Sequence, residues 1–347
     1  MLGINRRAAT YTYSAAMVLL LLYLVYLVRS TLFVFVIALL LAYLLSPLVN
    51  LLDRFLPGRT RTPALTLSYL IFIGLAAFLA IQIGTTVVEQ ATALTKKFPD
   101  MLAIWQQPTP GATPGVNSLK GDLVGRARAE VAKRSNDLVS LLPQFGLRFL
   151  TVASDVVYLV IIPILAFFFL KDGKGMRAHI LEIVDRGPRR ELLDEILADI
   201  DLLLAHYMRA LFALSLAAFT AYSIFFSIMG VPYGVLLAAT AAMLEFIPML
   251  GPLTADVIIL AVAGIAGAHV LTILIFQLIY RVMQDYVLSP HLMGSGVELH
   301  PLLILFGVFA GAEIAGIAGT FLSVPVLALV RILYLRLRKS RLTTHMA

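Results

Sequence analysis

Between Arg209 and Glu245 the chain carries no formal charge, and after Asp256 none returns until Arg281. Uncharged apolar runs of about 20 residues are long enough to cross a bilayer as helices. Apolar runs of this length recur at 11–28, 32–52, 64–88, 147–170, 210–229 and 270–288, charged only at Arg148, Asp155, Arg281 and Asp285. They are too long for barrel strands, which need about 10 residues each. Only 14% of the 347 residues are charged and 60% are hydrophobic, against about a quarter charged in soluble domains. The fold class that follows is an all-α, polytopic integral membrane protein with about eight membrane segments.

The chain has no cysteine, which excludes disulfides, thiol chemistry and Cys-ligated metal. The formal charge of +7 does not point to nucleic acid, because Lys and Arg gather in the flanks of the spans. Arg6 and Arg7 precede an apolar run too long for a signal peptide, and no A-x-A-like site follows it, so a retained first span is expected.

Five regions follow from the pattern. Residues 1–88 hold spans 1 to 3, with Arg29-Ser30 as a minimal turn between the first two. Residues 89–146 form an extracytoplasmic helical insert. Its tip, 107–118, is rich in Pro, Gly and Thr. An amphipathic helix then returns the chain through Leu119, Leu123, Ala127, Val131, Leu138 and Leu141. Span 4 occupies 147–170, with Pro163 as a kink. Residues 171–209 hold seven basic and eight acidic residues around an apolar stripe including Ile196, Ile200, Leu203, Leu204 and Tyr207. This reads as a cytoplasmic amphipathic helix packed on the bundle, with docking on lipid headgroups as the alternative. Gly187-Pro188 separates it from a shorter helix. Residues 210–347 are the C-terminal membrane core.

Basic ends set the orientation. The N-terminal Arg pair, the arginine-rich 53–62 loop and the tail with Arg331, Arg336, Arg338, Lys339 and Arg341 belong on the cytoplasmic side. Both termini are then cytoplasmic. Two solutions close the topology. In one, 234–267 and 301–335 are interrupted re-entrant hairpins of opposite orientation, an arrangement known in transporters. In the other, all segments are full crossings. The first piece of the 234–267 segment, about 14 residues, is short for a crossing of roughly 20.

The interruption is EFIPMLGP, residues 245–252. Pro248 and Pro252 each lack a backbone donor, and proline disfavours helix in the residue before it. Gly251 permits the turn that results. Freed backbone groups in hydrocarbon are tolerated only against protein or water, so the motif lines a cavity or packs on protein. The alternative is a tight turn at the membrane surface. Pro290, Gly294, Pro301, Gly311 and Pro325 mark further turns or breaks, the 301–335 stretch being interrupted at Gly311, Glu313, Gly316 and Gly319. Gly307 and Gly311 also form a GxxxG pattern that allows close helix approach.

Acids inside apolar segments are functional candidates by default. Glu245, Asp285 and Glu313 qualify, each beside a structural alternative. Glu245 can cap a helix. Asp285 lies four residues after Arg281, which suits an ion pair on one helix face. Glu313 follows Gly311 at an expected break and is placed to bind a freed amide. Asp256 sits near a helix start, where the dipole alone accounts for a carboxylate. Gln284, Gln277 and His269 are helix-packing or pore-lining candidates. No metal-ligand spacing, Walker loop or nucleophile motif is present, so no cofactor, metal or enzyme activity is expected.

Several pieces occur in a familiar order: GVPY (230–233), EFIPMLGP (245–252), DYVLSPHLMG (285–294), LHPLL (299–303) and a Gly-rich run ending in SVPVLALV (323–330). In these the chain resembles the AI-2E family of bacterial membrane transporters, also called the autoinducer-2 exporter or PerM-like family. The resemblance implies a multispan, oligomeric transporter of the bacterial inner membrane. Members are associated with export of the quorum-sensing furanone autoinducer-2 or with Na+(Li+)/H+ antiport. Asp256 and Glu313 depart from the family's usual small or apolar residues. The expected function is ion-coupled export of a small polar or amphiphilic solute, with membrane lipid and a homo-oligomeric partner. The alternatives are an antiporter and a non-transporting membrane scaffold.

Overall fold

The protein is described by a computed structural model covering residues 6–56, 61–106, 156–293 and 299–346. The expected 107–118 tip, the 119–141 helix and Gly294 lie outside the described residues. All described elements are helical: α1 (Arg6–Leu27), α2 (Arg29–Phe55), α3 (Thr62–Gln106), α4 (Val156–Glu182), α5 (Pro188–Ile228), α6 (Gly234–Leu244), α7 (Leu250–Ile265) and α8 (Val270–Met283). A π-helical turn, Gln284–Leu288, leads into α9 (Ser289–Met293), and α10 (Pro301–Met346) closes the chain. Six helices are long and apolar enough to cross a membrane, and α6 and α7 are shorter apolar helices.

Three helices run past the boundaries that composition suggests. α3 continues unbroken for 45 residues. α4 passes Gly173 and Gly175 without a break and keeps Pro163 in its interior. α5 joins the charged 188–209 stretch to the apolar 210–228 stretch in one rod of 41 residues. Gly187, at φ 144, starts it, with Pro188 at the first helical position, where a missing N–H costs nothing. The stripe of the charged half faces inward: Ile196, Leu203, Leu204 and Tyr207 are buried.

The expected turn at Arg29-Ser30 is not a reversal. Val28 donates to the Leu24 carbonyl and accepts from the Leu32 amide, so helical bonding carries across the join. No Gly or Pro interrupts it, and α1 touches α2 only beside that join. Every large apolar side chain of α1 from Tyr11 to Leu27 that is recorded is exposed. The Arg29 guanidinium lies over the Tyr26 ring, 4.1 Å from its centre.

α5 is the ruler of the fold. α6 doubles back along its C-terminal half: Gly234 sits against Phe226, and Ser215 donates to the Ala242 carbonyl at 2.7 Å. α7 then returns beside α6, making hairpin A. The second arm of α10 runs antiparallel to the N-terminal half of α5, with Val324 and Ala328 in one apolar cluster with Leu204 and Tyr207. Arg336 reaches Asp199 on the same side.

α10 is itself a hairpin, B. Ala315 (φ −141, ψ 20) and Gly316 (φ 60, ψ −140) are non-helical, so of the expected interruptions the chain reverses at Gly316 and not at Gly311 or Gly319. Gly311 and Gly319 instead form the contact between the arms. A Cβ on Gly319 would lie 1.9 Å from the Gly311 carbonyl oxygen, and one on Gly311 2.3 Å from that of Gly319. Gly307 packs against Leu327 in the same way. Pro325 is not a turn residue either; it lies inside the second arm. Pro301 begins the first arm, and Pro290 lies in α9.

Substitution at the arm contact separates close approach from helix propensity. Gly319→Ala should destabilise by about 1–3 kcal/mol through overpacking. Gly84→Ala, in a helix with nothing within 4 Å of the added Cβ, should be neutral or stabilising by up to about 1 kcal/mol. Thermal unfolding of the detergent-solubilised variants measures both.

Candidate functional site

EFIPMLGP folds as the tip of hairpin A. Helical bonding frays over Phe246 and Ile247, whose amides donate to Met243 and Leu244. The sharp point is Met249, at φ 62 and ψ −53, rather than Gly251. The Leu250 amide donates to the Pro248 carbonyl at 2.7 Å, which closes a γ-turn of the rare, strained hand. Gly251 serves close approach: a Cβ there would sit 1.8 Å from the Leu244 carbonyl oxygen. Pro252 falls in the first turn of α7, where proline is tolerated. At the other end of α6 the orphan Leu236 amide is satisfied by Gln90 Oε1 of α3, at 2.9 Å.

Glu245 leaves α6 at this tip and is buried. Its Oε1 accepts a short hydrogen bond from Gln284 Nε2. Gln284 opens the π-helical turn after α8 and is also buried. Its Oε1 accepts from Arg281 Nη1 at 3.2 Å. Arg281 Nη2 donates to Asp256 Oδ2 at 2.9 Å, and Tyr222 of α5 donates to Asp256 Oδ1 at the same distance. The Asp256 backbone carbonyl accepts from Gln277 Nε2 at 3.2 Å. A polar chain thus runs Glu245, Gln284, Arg281, Asp256, Tyr222 through an apolar interior.

Aromatic rings wall this chain. Tyr222 packs edge-on against Phe276 and Tyr280, each 5.2 Å away, and Phe225 stacks on Phe276 at 3.9 Å. Gln277 Oε1, the Tyr280 hydroxyl and Arg281 Nε are buried without a hydrogen-bond partner among the described residues. They stand at i, i+3 and i+4 on one face of α8.

The structure redistributes the predicted site residues. Asp256 is central, and its carboxylate is held by two side chains, beyond what a helix dipole needs. Arg281 pairs with Asp256 and not with Asp285. Gln284 takes the inward position after Arg281, and Asp285 is exposed, with no hydrogen bond or ion pair among the described residues. Glu313 is exposed near the tip of hairpin B and caps no freed amide among the described residues. His269 lines a small cavity of about 230 Å³ between the loops at the far end of hairpin A, away from the acids. Tyr222 and Tyr280 escaped sequence reasoning. Their one signal was the spacing of aromatics and Gln at i, i+1 and i+4 along 276–280, which also fits plain packing.

The two hairpins meet. Phe246, next to Glu245, contacts Phe321 of hairpin B, with ring centres 6.0 Å apart. Phe321 lies five residues from the Gly316 reversal, so the tips overlap by about 8 Å along α5. They come from opposite ends of that helix. Three of their four arms are short, about 16 Å for α6, 24 Å for α7 and 21 Å for 301–314, against roughly 30 Å of hydrocarbon, while the second arm of hairpin B, 317–346, runs about 45 Å.

The buried pair gives a direct test. Arg281→Met should leave Asp256 uncompensated and destabilise by about 3 kcal/mol or more. Adding Asp256→Leu should recover a large part of that loss. Unfolding of both variants in detergent decides; equal, additive losses would mean that the pair is not coupled.

Comparison with known proteins follows the same lines as the geometry. The AI-2E family transporter profile matches residues 15–339. A Bacillus subtilis (strain 168) protein, "Putative transport protein YueF", is 30% identical over 324 residues, covering 89% of this chain and 85% of its own. A second from that strain, "Putative transport protein YrrI", is 26% identical over 329 residues, covering 92% and 90%. "Putative permease PerM" of Escherichia coli (strain K12) is 23% identical over 304 residues, covering 85% and 84%. Motifs, helical plan and a match across nearly the whole chain agree: the protein belongs to the AI-2E family of transporters.

Proposed function

We propose that this protein is an ion-coupled exporter of a small polar or amphiphilic solute, such as a quorum-sensing furanone, in the bacterial inner membrane. The observation that carries the reading is the buried Glu245 at the tip of hairpin A, set where the tip of hairpin B overlaps it. Hairpins of opposite direction that meet near the middle of a bundle suit re-entry from opposite faces, with the transported species bound between the tips. The basic tail of α10 then lies on the cytoplasmic side, and the unbroken join of α1 to α2 does not return the N-terminus to that side.

Glu245 is the coupling group. Asp256 is already neutralised by Arg281, and its role is to hold hairpin A against α8 and α5. Glu245 receives only a neutral amide from Gln284, which leaves it open to a proton or a cation. Tyr222 and Gln277 position the pair. A charge facing lipid at mid-membrane costs about 2.5–3.5 kcal/mol. The exposed Glu313 and Asp285 therefore belong on faces covered by further copies of the chain, and lipid covers the exposed apolar side chains. The family's antiporter association is served by the same acid and differs in having no organic solute.

Flux into inverted proteoliposomes separates these. With autoinducer-2 as the solute, Glu245→Gln should slow uptake about tenfold or more, the equivalent of about 1.4 kcal/mol of barrier. It should also abolish proton movement that accompanies uptake, while Glu313→Gln leaves the rate per active protein within about twofold. Proton movement driven by Na+ alone would favour the antiporter. Unchanged flux in Glu245→Gln would remove the acid from the mechanism.

A further inference from the structure

The first arm of hairpin B is held by little: between Pro301 and Ile314 only Val308 is buried, while the second arm buries Thr320, Ser323, Val324, Pro325 and Ala328. Leu302, Phe306, Phe309, Ile314 and Ile317 are all more than half exposed. Its apolar attachments are the Phe321 contact with Phe246 and the seat of Val324 and Ala328 on α5, with Ile304, Leu322 and Ile332 packed around that seat. An element with so few buried contacts is drawn from the low-stability end of a structure.

One polar attachment stands out beyond the apolar seat. Arg336 of α10 makes a fork to Asp199 of α5, Nε to Oδ2 at 2.6 Å and Nη2 to Oδ1 at 2.9 Å. Its Nη1 takes a short hydrogen bond to Glu195, one turn earlier on α5. The opposite face of that stretch of α5 is anchored separately. Arg177 of α4 holds Asp194, Nη2 to Oδ1 at 2.7 Å, and Asp201, Nη1 to Oδ2 at 3.4 Å. Tyr43 of α2 donates to Asp201 in turn. The acids of α5 therefore form a fixed post, braced by α2 and α4, and Arg336 is the hook of hairpin B upon it.

The two ion-pair systems differ in kind. Arg281 and Asp256 are 23% and 19% exposed and sit among rings, so opening them strands a charge. Arg336, Asp199 and Glu195 are 26%, 32% and 54% exposed, so each group regains water when the pair opens. The first is a permanent brace. The second is defined in geometry by its bidentate fork yet inexpensive to break.

We infer that Arg336 with Asp199 and Glu195 is a releasable latch that holds the second arm of hairpin B on α5, and that its opening exposes the seat of Val324 to water from the basic end of the bundle. In the transport reading above, on which its purpose rests, the latch gates the path to Glu245 from the cytoplasm. The chain's own acids supply the catch, and no further ligand is needed.

The absence of native cysteine makes the test direct. Val324→Cys is a close match in volume and lies buried against α5. In the full-length protein in inverted membrane vesicles, a membrane-impermeant maleimide should label this cysteine slowly. Adding Arg336→Gln should speed labelling about five- to tenfold, as suits a small network of exposed charges. The reversed pair, Arg336→Glu with Asp199→Arg in a Glu195→Gln background, should restore the slow rate. About 1 M NaCl, which shortens the Debye length to about 3 Å, should speed labelling with Arg336 present and not in Arg336→Gln. Ala218→Cys, buried between α5 and hairpin A, is the control for general loosening. Unchanged labelling in Arg336→Gln, or an equal rise at Ala218→Cys, overturns the latch. Labelling needs no solute, so the latch can stand while the Glu245 flux test fails, and the reverse.

Discussion

A helix that ends inside an apolar bundle leaves up to four backbone groups without partners at each end, and hydrocarbon offers none. That constraint shapes the C-terminal half of this chain. Hairpin A meets it with local bonds through Phe246, Ile247, Leu250 and Gly251, and with a side-chain acceptor, Gln90, borrowed from α3. Hairpin B meets it by reversing within two residues, Ala315 and Gly316, so that the helical ladders resume almost at once. In both, glycine is placed where two backbones touch, at Gly251 against Leu244 and at Gly311 against Gly319. Tight turns of this kind need protein at their back, and α5 supplies it to both hairpins along different halves of one rod.

The same rod explains where charge is allowed. Its first half carries Asp194, Glu195, Asp199 and Asp201, each paired with an Arg from α4 or α10 or held by Tyr43. From Ala210 its second half carries no charge, and its polar contributions include the Ser215 hydroxyl on the Ala242 carbonyl and the Tyr222 hydroxyl turned onto Asp256. A carboxylate in that interior needs several donors at once, and Asp256 has two side-chain donors of which one is a guanidinium. Glu245 has one, and it is neutral. In the transport reading proposed above, the difference suits the two acids to different work: one fixed, one available.

The sequence made much of this legible, for physical reasons. Long uncharged runs give membrane helices with little ambiguity, and a Glu-x-x-Pro-x-x-Gly-Pro break in such a run forces a turn. Counting basic ends left opposed hairpins and full crossings both open, and the short first piece of 234–267 was the signal that favoured hairpins. Other features were hidden because they depend on partners far along the chain. Arg281 has Asp285 four residues away, and local spacing favours that pair; Asp256, 25 residues earlier, wins because hairpin A carries it to the same face of α8. Gly311 read both as a break, because glycine weakens helices, and as part of a GxxxG pattern that lets helices approach, and arm contact is what it permits here. Met249 gave no signal, since a non-glycine residue at positive φ is imposed by the closure of the turn and not by its own preference. The join at Val28 shows the converse: with neither Gly nor Pro to stop it, a helix continues past two residues that look like a loop between spans.

The strain at Met249 bears on how hairpin A works. A residue at φ 62 in a classic γ-turn costs about 1–3 kcal/mol and persists only where its surroundings over-determine it. Here Pro248 precedes it, Gly251 is locked under the Leu244 carbonyl, and Glu245 is tied to Gln284. Releasing the Glu245 hydrogen bond removes one of the restraints that hold the turn in its strained form. Binding a proton or cation at Glu245 would compete with Gln284 for the same oxygen, and so would act on the backbone of the tip and on the Phe246 contact with hairpin B. An acid in this position can report its occupancy to both hairpins through two adjacent residues, without any change in the permanent pair of Asp256 and Arg281.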